Sequence, residues 1–80
     1  MEIDRDLLEQ IAIKIHMRWA AKRSAEGWVY GPERNDIKRE HPCLVTYDDL
    51  SEIEREYDRA TARETLLSLD ELGYEIVMKK

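Results

Sequence analysis

Asp4-Arg5-Asp6-Leu7-Leu8-Glu9-Gln10-Ile11-Ala12-Ile13-Lys14-Ile15-His16-Met17-Arg18-Trp19 is the stretch that decides the fold. Its apolar residues Leu7, Leu8, Ile11, Ala12, Ile15 and Trp19 recur at three- and four-residue steps, the stripe of an amphipathic helix. Asp4 can cap the start, and Gly27 can take the left-handed conformation that closes the end, which predicts a helix from Asp4 to Glu26. Downstream, Gly27-Trp28-Val29-Tyr30-Gly31-Pro32 brackets three strand-forming residues between glycines, and the proline blocks continuation. A short extended arm is expected there.

Asn35 ahead of Asp36-Ile37-Lys38-Arg39-Glu40 can cap one or two helical turns, ending before His41, whose place ahead of Pro42 disfavours helical dihedrals. Cys43-Leu44-Val45 is a brief apolar run expected to point inward, and Thr46 with Asp49 suits a single capped turn through Leu50. From Ser51 to Leu72 the helical pattern conflicts with itself. Ile53, Tyr57 and Ala60 share one face, while Ala62, Leu66 and Leu69 lie nearly opposite. Two Ser/Thr-x-x-Glu start signals, Ser51 with Glu54 and Thr61 with Glu64, resolve it as two helices bent at Asp58–Thr61. Gly73 ends the second, and Tyr74-Glu75-Ile76-Val77-Met78 reads as a terminal strand paired with the Trp28–Tyr30 arm. The expected fold is mainly α with minor β: two or three principal helices, short helical turns and a small two-stranded β element in one domain spanning residues 1–80.

Composition narrows the function. Only 18 of the 80 residues are Leu, Ile or Val and none is Phe, so the core is expected to lean on Trp19, Trp28 and the four tyrosines. Thirteen Lys and Arg against 18 Asp and Glu give a net charge of −5, which argues against generic binding to nucleic acid or anionic membrane. Cys43 is the single cysteine, so an intramolecular disulfide is excluded, and no stretch reaches the roughly 18 apolar residues of a bilayer span. The opening Met-Glu-Ile-Asp lacks the basic and apolar regions of a secretion signal, so a cytoplasmic protein is expected.

Catalytic and metal chemistry find little support. His16 and His41 stand 25 residues apart with one thiol two positions beyond, which does not make the paired spacing of a zinc site. Cys43 sits in an apolar run, where a thiol behaves as a small hydrophobe. The glycines match neither the P-loop nor the dinucleotide fingerprint. No cofactor, metal or enzymatic activity is therefore expected. What remains is a set of rings and cations. His16, Trp19 and Arg23 share one side of the first helix, Trp28 and Tyr30 point the same way from the arm, and Arg34, Lys38 and Arg39 lie close in sequence. Such a set can stack a flat heterocycle and neutralise a phosphate. The competing role is plain: a tryptophan spaced with leucines serves a core more often than a platform, His41 suits fixing a turn, and Tyr57 and Tyr74 suit core rings with hydroxyls at the edge.

With those residues in view, the chain resembles the ryanodine receptor repeat, or RyR domain, from about Ile11 to Val77. The resemblance rests on His16-Met17-Arg18-Trp19, Gly27-Trp28-Val29-Tyr30-Gly31, Arg34-Asn35-Asp36 with Lys38, and His41-Pro42-Cys43-Leu44-Val45 with Tyr47 and Leu50. It continues in Glu54-Arg55-Glu56-Tyr57-Asp58-Arg59, Glu64-Thr65-Leu66 and Leu72-Gly73-Tyr74-Glu75-Ile76. It implies a mainly helical unit with small β elements, found in tandem in the cytoplasmic shell of animal calcium-release channels and as short modules in prokaryotes and phages. Those repeats do not build the pore, so calcium transport is not carried over. The resemblance does imply recognition of an adenine nucleotide near the positions of His16 and Trp19, with Trp28, Tyr30 and Arg34 as secondary members. Thr46 departs from a common proline and Asn35 from a common aspartate. A single repeat also raises the expectation of a site shared between two chains, and without the long inter-repeat loop Ser51 is not read as a phosphosite.

Two functions of different class are thus expected to compete. One is a non-enzymatic ligand-recognition or sensor module for a nucleotide-like small molecule. The other is a structural or protein-interaction domain in which the same rings are core and the segment near Tyr74–Val77 pairs with a second copy or another protein.

Overall fold

The computed structural model describes residues 2–79, which form a first helix α1 (Arg5–Ala25), a two-residue strand β1 (Val29–Tyr30) and a second, β2 (Glu40–His41). A 3-10 turn (Tyr47–Asp49) and a second helix, α2 (Glu52–Glu71), complete it. The protein is mainly helical with minor β structure.

The ends of α1 follow the sequence signals. The Asp4 carboxylate accepts the Leu7 N–H at 3.1 Å. At the other end Gly27 takes φ 90°, and the N–H groups of Gly27 and Trp28 donate to the carbonyls of Ser24 and Arg23. That paired closure satisfies two carbonyls the helix leaves open and turns the chain sharply into β1. Helix α2 ends the same way, with Gly73 at φ 91° and Tyr74 N–H donating to Leu69.

Four expectations are corrected. α2 is one continuous helix that runs through Asp58–Thr61 without a break. Ser51 caps it, its hydroxyl accepting the Glu54 N–H at 3.3 Å, but the Thr61 hydroxyl turns back and donates to the Tyr57 carbonyl at 3.1 Å. The conflict between faces vanishes because only one is buried: Ala62 and Leu66 are enclosed while Ile53 and Tyr57 stay in solvent. Second, residues 36–39 form turns instead of a helical segment. The Asn35 carboxamide does cap, accepting from the N–H groups of Ile37 and Lys38, but Asn35 also bridges Glu40 through two 2.9 Å backbone hydrogen bonds. Arg39, at φ 56°, closes that loop.

Third, the partner of β1 is β2, in parallel register with Val29 opposite Glu40 and Tyr30 opposite His41. Residues 74–78 are exposed and belong to no strand. Fourth, the aromatic residues do not fill the core. Tyr47 alone among the tyrosines is buried; Tyr30, Tyr57 and Tyr74 are exposed, and Trp19 and Trp28 are half-buried. Small residues take their place, since Ala12 and Ala62 are fully enclosed and let the two helices approach closely. Leu8, Ala62 and Leu66 form one apolar cluster with Ile3, Ile11 and Ile15 against it; Ala12, Tyr47 and Leu50 form the other, with Ile13, Cys43 and Val45.

The pairing of Leu8 with Leu66 sets α2 antiparallel to α1, so the start of α2 lies beside the second half of α1. Arg59 fastens that arrangement by reaching across to Glu9 at 2.7 Å and to Glu52 and Glu56 on its own helix. The loop of residues 40–50 packs against α1 through Cys43, Val45, Tyr47 and Leu50, and it brings His41 to the site.

Candidate functional site

α1 presents His16 and Trp19 on successive turns of one face, and their rings stack with centroids 5.8 Å apart and 30° between planes. β2 brings in His41, whose ring meets the Trp19 indole edge-on at 5.0 Å and 73°. Trp28, just past the end of α1, stands 6.3 Å from the same His41 ring. Arg23 covers Trp28, its guanidinium carbon 5.2 Å from the ring centroid. The result is a row His16, Trp19, His41, Trp28, Arg23 joining the helix, the arm and the loop.

Hydrogen bonds fix both imidazoles. His16 is buried, and its Nε2 lies 2.7 Å from the Val45 carbonyl. A carbonyl only accepts, so Nε2 carries the proton. In His41, Nδ1 accepts the Cys43 N–H at 3.0 Å, which leaves the neutral ring's proton on Nε2. Burial, helped by the nearby charges of Arg34 and Arg23 and opposed by Glu54 and Asp36, pulls the His41 pKa down. The neutral form that this hydrogen bond requires is therefore favoured.

His16, Trp19 and His41 line a cleft of about 230 Å³ whose other walls include Glu54, Tyr57 and Asp58. Burial pushes the Asp58 carboxyl up, with Glu54 adding to the rise and His16 opposing it. Burial also raises the Cys43 thiol, at the edge of the same cleft, with Glu54 and Asp58 acting in the same direction. The indole of Trp19 is thus half-buried with a cleft opening onto it, and that cleft is aromatic on the α1 side and carboxylate-bearing on the α2 side.

The five residues singled out in the sequence do not all meet. His16 and Trp19 line the cleft, and Trp28 joins them through His41. Tyr30 lines, with Trp28, a separate hollow beside Ala20 and Val45. Arg34 lies in the exposed loop and pairs with Asp36 at 2.9 Å, although its charge is felt at His41. His41 does fix a turn through Cys43, yet it is also the hinge of the aromatic row, and Asp58 and Glu54 supply polar groups that the sequence does not single out. Spacing places Asp58 one turn after Glu54 on α2, but nothing local shows that this face meets Trp19.

Among the described residues no helix is long and apolar enough to cross a membrane. The family model described as the RyR domain matches residues 2–78, nearly the whole chain and every element that builds the aromatic row. This chain belongs to the RyR domain family.

Proposed function

We propose that this chain is a non-enzymatic recognition module whose Trp19 cleft takes the flat, amino-bearing ring of a nucleotide-like small molecule. The observation that carries the reading is the half-buried Trp19 ring, held between two imidazoles and opening onto a base-sized cleft. At about 230 Å³ the cleft suits one ring system, and the rest of such a ligand would lie outside. Asp58 and Glu54 are acceptors for a ring amine, and Nε2–H of His41 is a donor for a ring nitrogen. Arg23 and Arg34, whose charges reach His41, would serve an attached phosphate.

A binding role is favoured over catalysis because the cleft offers no nucleophile paired with a base and an oxyanion donor, and its one thiol is held in the protonated form. A lone unpaired thiol suits the reducing cytoplasm, where the module would work.

Thermal-shift measurements on the full chain with ATP, ADP, cyclic nucleotides and ADP-ribose test the proposal. Ligand at 100 times its dissociation constant should stabilise by about 2.7 kcal/mol, and Asp58→Asn should weaken binding while leaving the fold intact. Absence of any shift from the folded protein at millimolar nucleotide overturns it.

A further inference from the structure

Two adjoining hollows, of about 430 and 500 Å³, share Ala20, Val45 and Thr46 as a common wall. Together they make one groove along α1. Its long side is the helix stripe Ile13, Met17, Ala20 and Ser24, whose eleven steps rise about 17 Å. One end is closed by Asp48 and the other by Tyr30. Met17, Val29 and Tyr30 are each more than half exposed, although they are large apolar groups at or beside this groove. The His16 ring lines both the groove and the Trp19 cleft and so partitions them.

The same molecule carries an exposed segment beyond α2. Residues 74–78 lie outside any strand, and Val77 and Met78 are 78% and 93% exposed. Drawn out as a strand, five residues span about 17 Å, the length of the groove. Their alternation sends Tyr74, Ile76 and Met78 to one side, and Lys79 follows directly. We infer that the groove of one copy is filled by residues 74–79 of a second copy, running from the Tyr30 end so that Lys79 meets Asp48.

The chain's own segment cannot fill the groove to its far end. The last turns of α2 lie beside the start of α1, because Leu66 packs with Leu8 and Ile3 joins that cluster. Gly73 therefore emerges about 30 Å, or some twenty helical residues, from the Trp28–Tyr30 end. Six residues cover at most about 22 Å. A second copy has no such limit, and reciprocal exchange of the two segments closes a twofold dimer. The basic Lys79 against the acidic groove end sets the direction, which an apolar groove alone would not. This surface goes beyond the ligand reading and does not depend on it.

Analytical ultracentrifugation of the full chain from micromolar to millimolar concentration is the test, with circular dichroism to verify folding of each variant. Dimer mass is expected for the wild type, and Met78→Asp or Met17→Asp should raise its dissociation constant at least about tenfold. Lys79→Glu should weaken the dimer, and adding Asp48→Lys should restore it. A wild-type monomer throughout, a dimer indifferent to Met78→Asp, or a failed charge swap overturns the inference. Nucleotide thermal shifts on Met78→Asp read the Trp19 cleft separately.

Discussion

His16 on α1 and Val45, 29 residues further on, are joined by a hydrogen bond of 2.7 Å from an imidazole Nε2–H to a main-chain carbonyl. That bond holds the loop of residues 40–50 against the first helix, and it aims the His16 ring so that its face can stack on Trp19. A single side chain thus serves the loop's backbone and the cleft's wall.

Replacing His16 by phenylalanine keeps a flat ring but removes the donor. The Val45 carbonyl, in a half-buried loop, then loses its protein partner, which costs about 1–3 kcal/mol. Urea unfolding should show a lower midpoint with an unchanged slope, and a midpoint equal to wild type would mean that water replaces the imidazole without loss.

His41 gives the pH dependence a sign. Its folded pKa lies below the ordinary value of 6.5, so below that pH the unfolded chain takes up a proton that the folded chain resists. Stability contributed by this group is constant above pH 6.5 and falls as pH drops below it. Glu9, held low chiefly by its hydrogen bond with Arg59, adds a loss of its own only at more acidic pH, below the ordinary 4.5. His41→Gln retains an acceptor for the Cys43 N–H without a titrating ring. Thermal melts across this range should slope downward for wild type and flatten just below pH 6.5 in the variant.

The two predicted caps of α2 separate the two readings of its sequence. Ser51→Ala removes a hydroxyl that accepts the Glu54 N–H and should cost about 1 kcal/mol. Thr61→Ala removes one that bonds back to the Tyr57 carbonyl in mid-helix, and should change stability by less than about 0.5 kcal/mol, towards stabilisation. A penalty at Thr61 as large as that at Ser51 would mean that a second helix starts there.

Thr61 also shows why parts of the fold were legible and others not. Helix ends at Asp4, Gly27, Ser51 and Gly73 are written in local chemistry, since a cap's partners lie within four residues. Whether an apolar face is buried is decided by what packs on it. Ile53 and Tyr57 form a face as regular as that of Ala62 and Leu66, but nothing covers it. Glu40–His41 carries no strand pattern because two residues have no period, and the longer run at residues 74–78 looked the better partner for Trp28–Tyr30. In the site, His16 and Trp19 were visible as helical neighbours, whereas Asp58 enters only through the antiparallel approach of α2.

Gly31 follows β1 directly, is buried, and donates its N–H to the His41 carbonyl. A Cβ built on it would lie 2.5 Å from the Glu40 Cβ, a clash with an atom fixed to the backbone of β2 that no side-chain rotation relieves. Gly31→Ala must therefore separate β1 from β2, at about 1–3 kcal/mol. Separation moves His41, the residue that links Trp19 to Trp28. The variant should keep its helical far-ultraviolet signal, because α1 and α2 meet through Leu8 and Leu66, away from this strand pair. Its near-ultraviolet tryptophan signal should fall, as both indoles lose an imidazole neighbour, and any nucleotide-induced thermal shift should shrink with it. An unchanged tryptophan spectrum would show that β2 does not position the aromatic row.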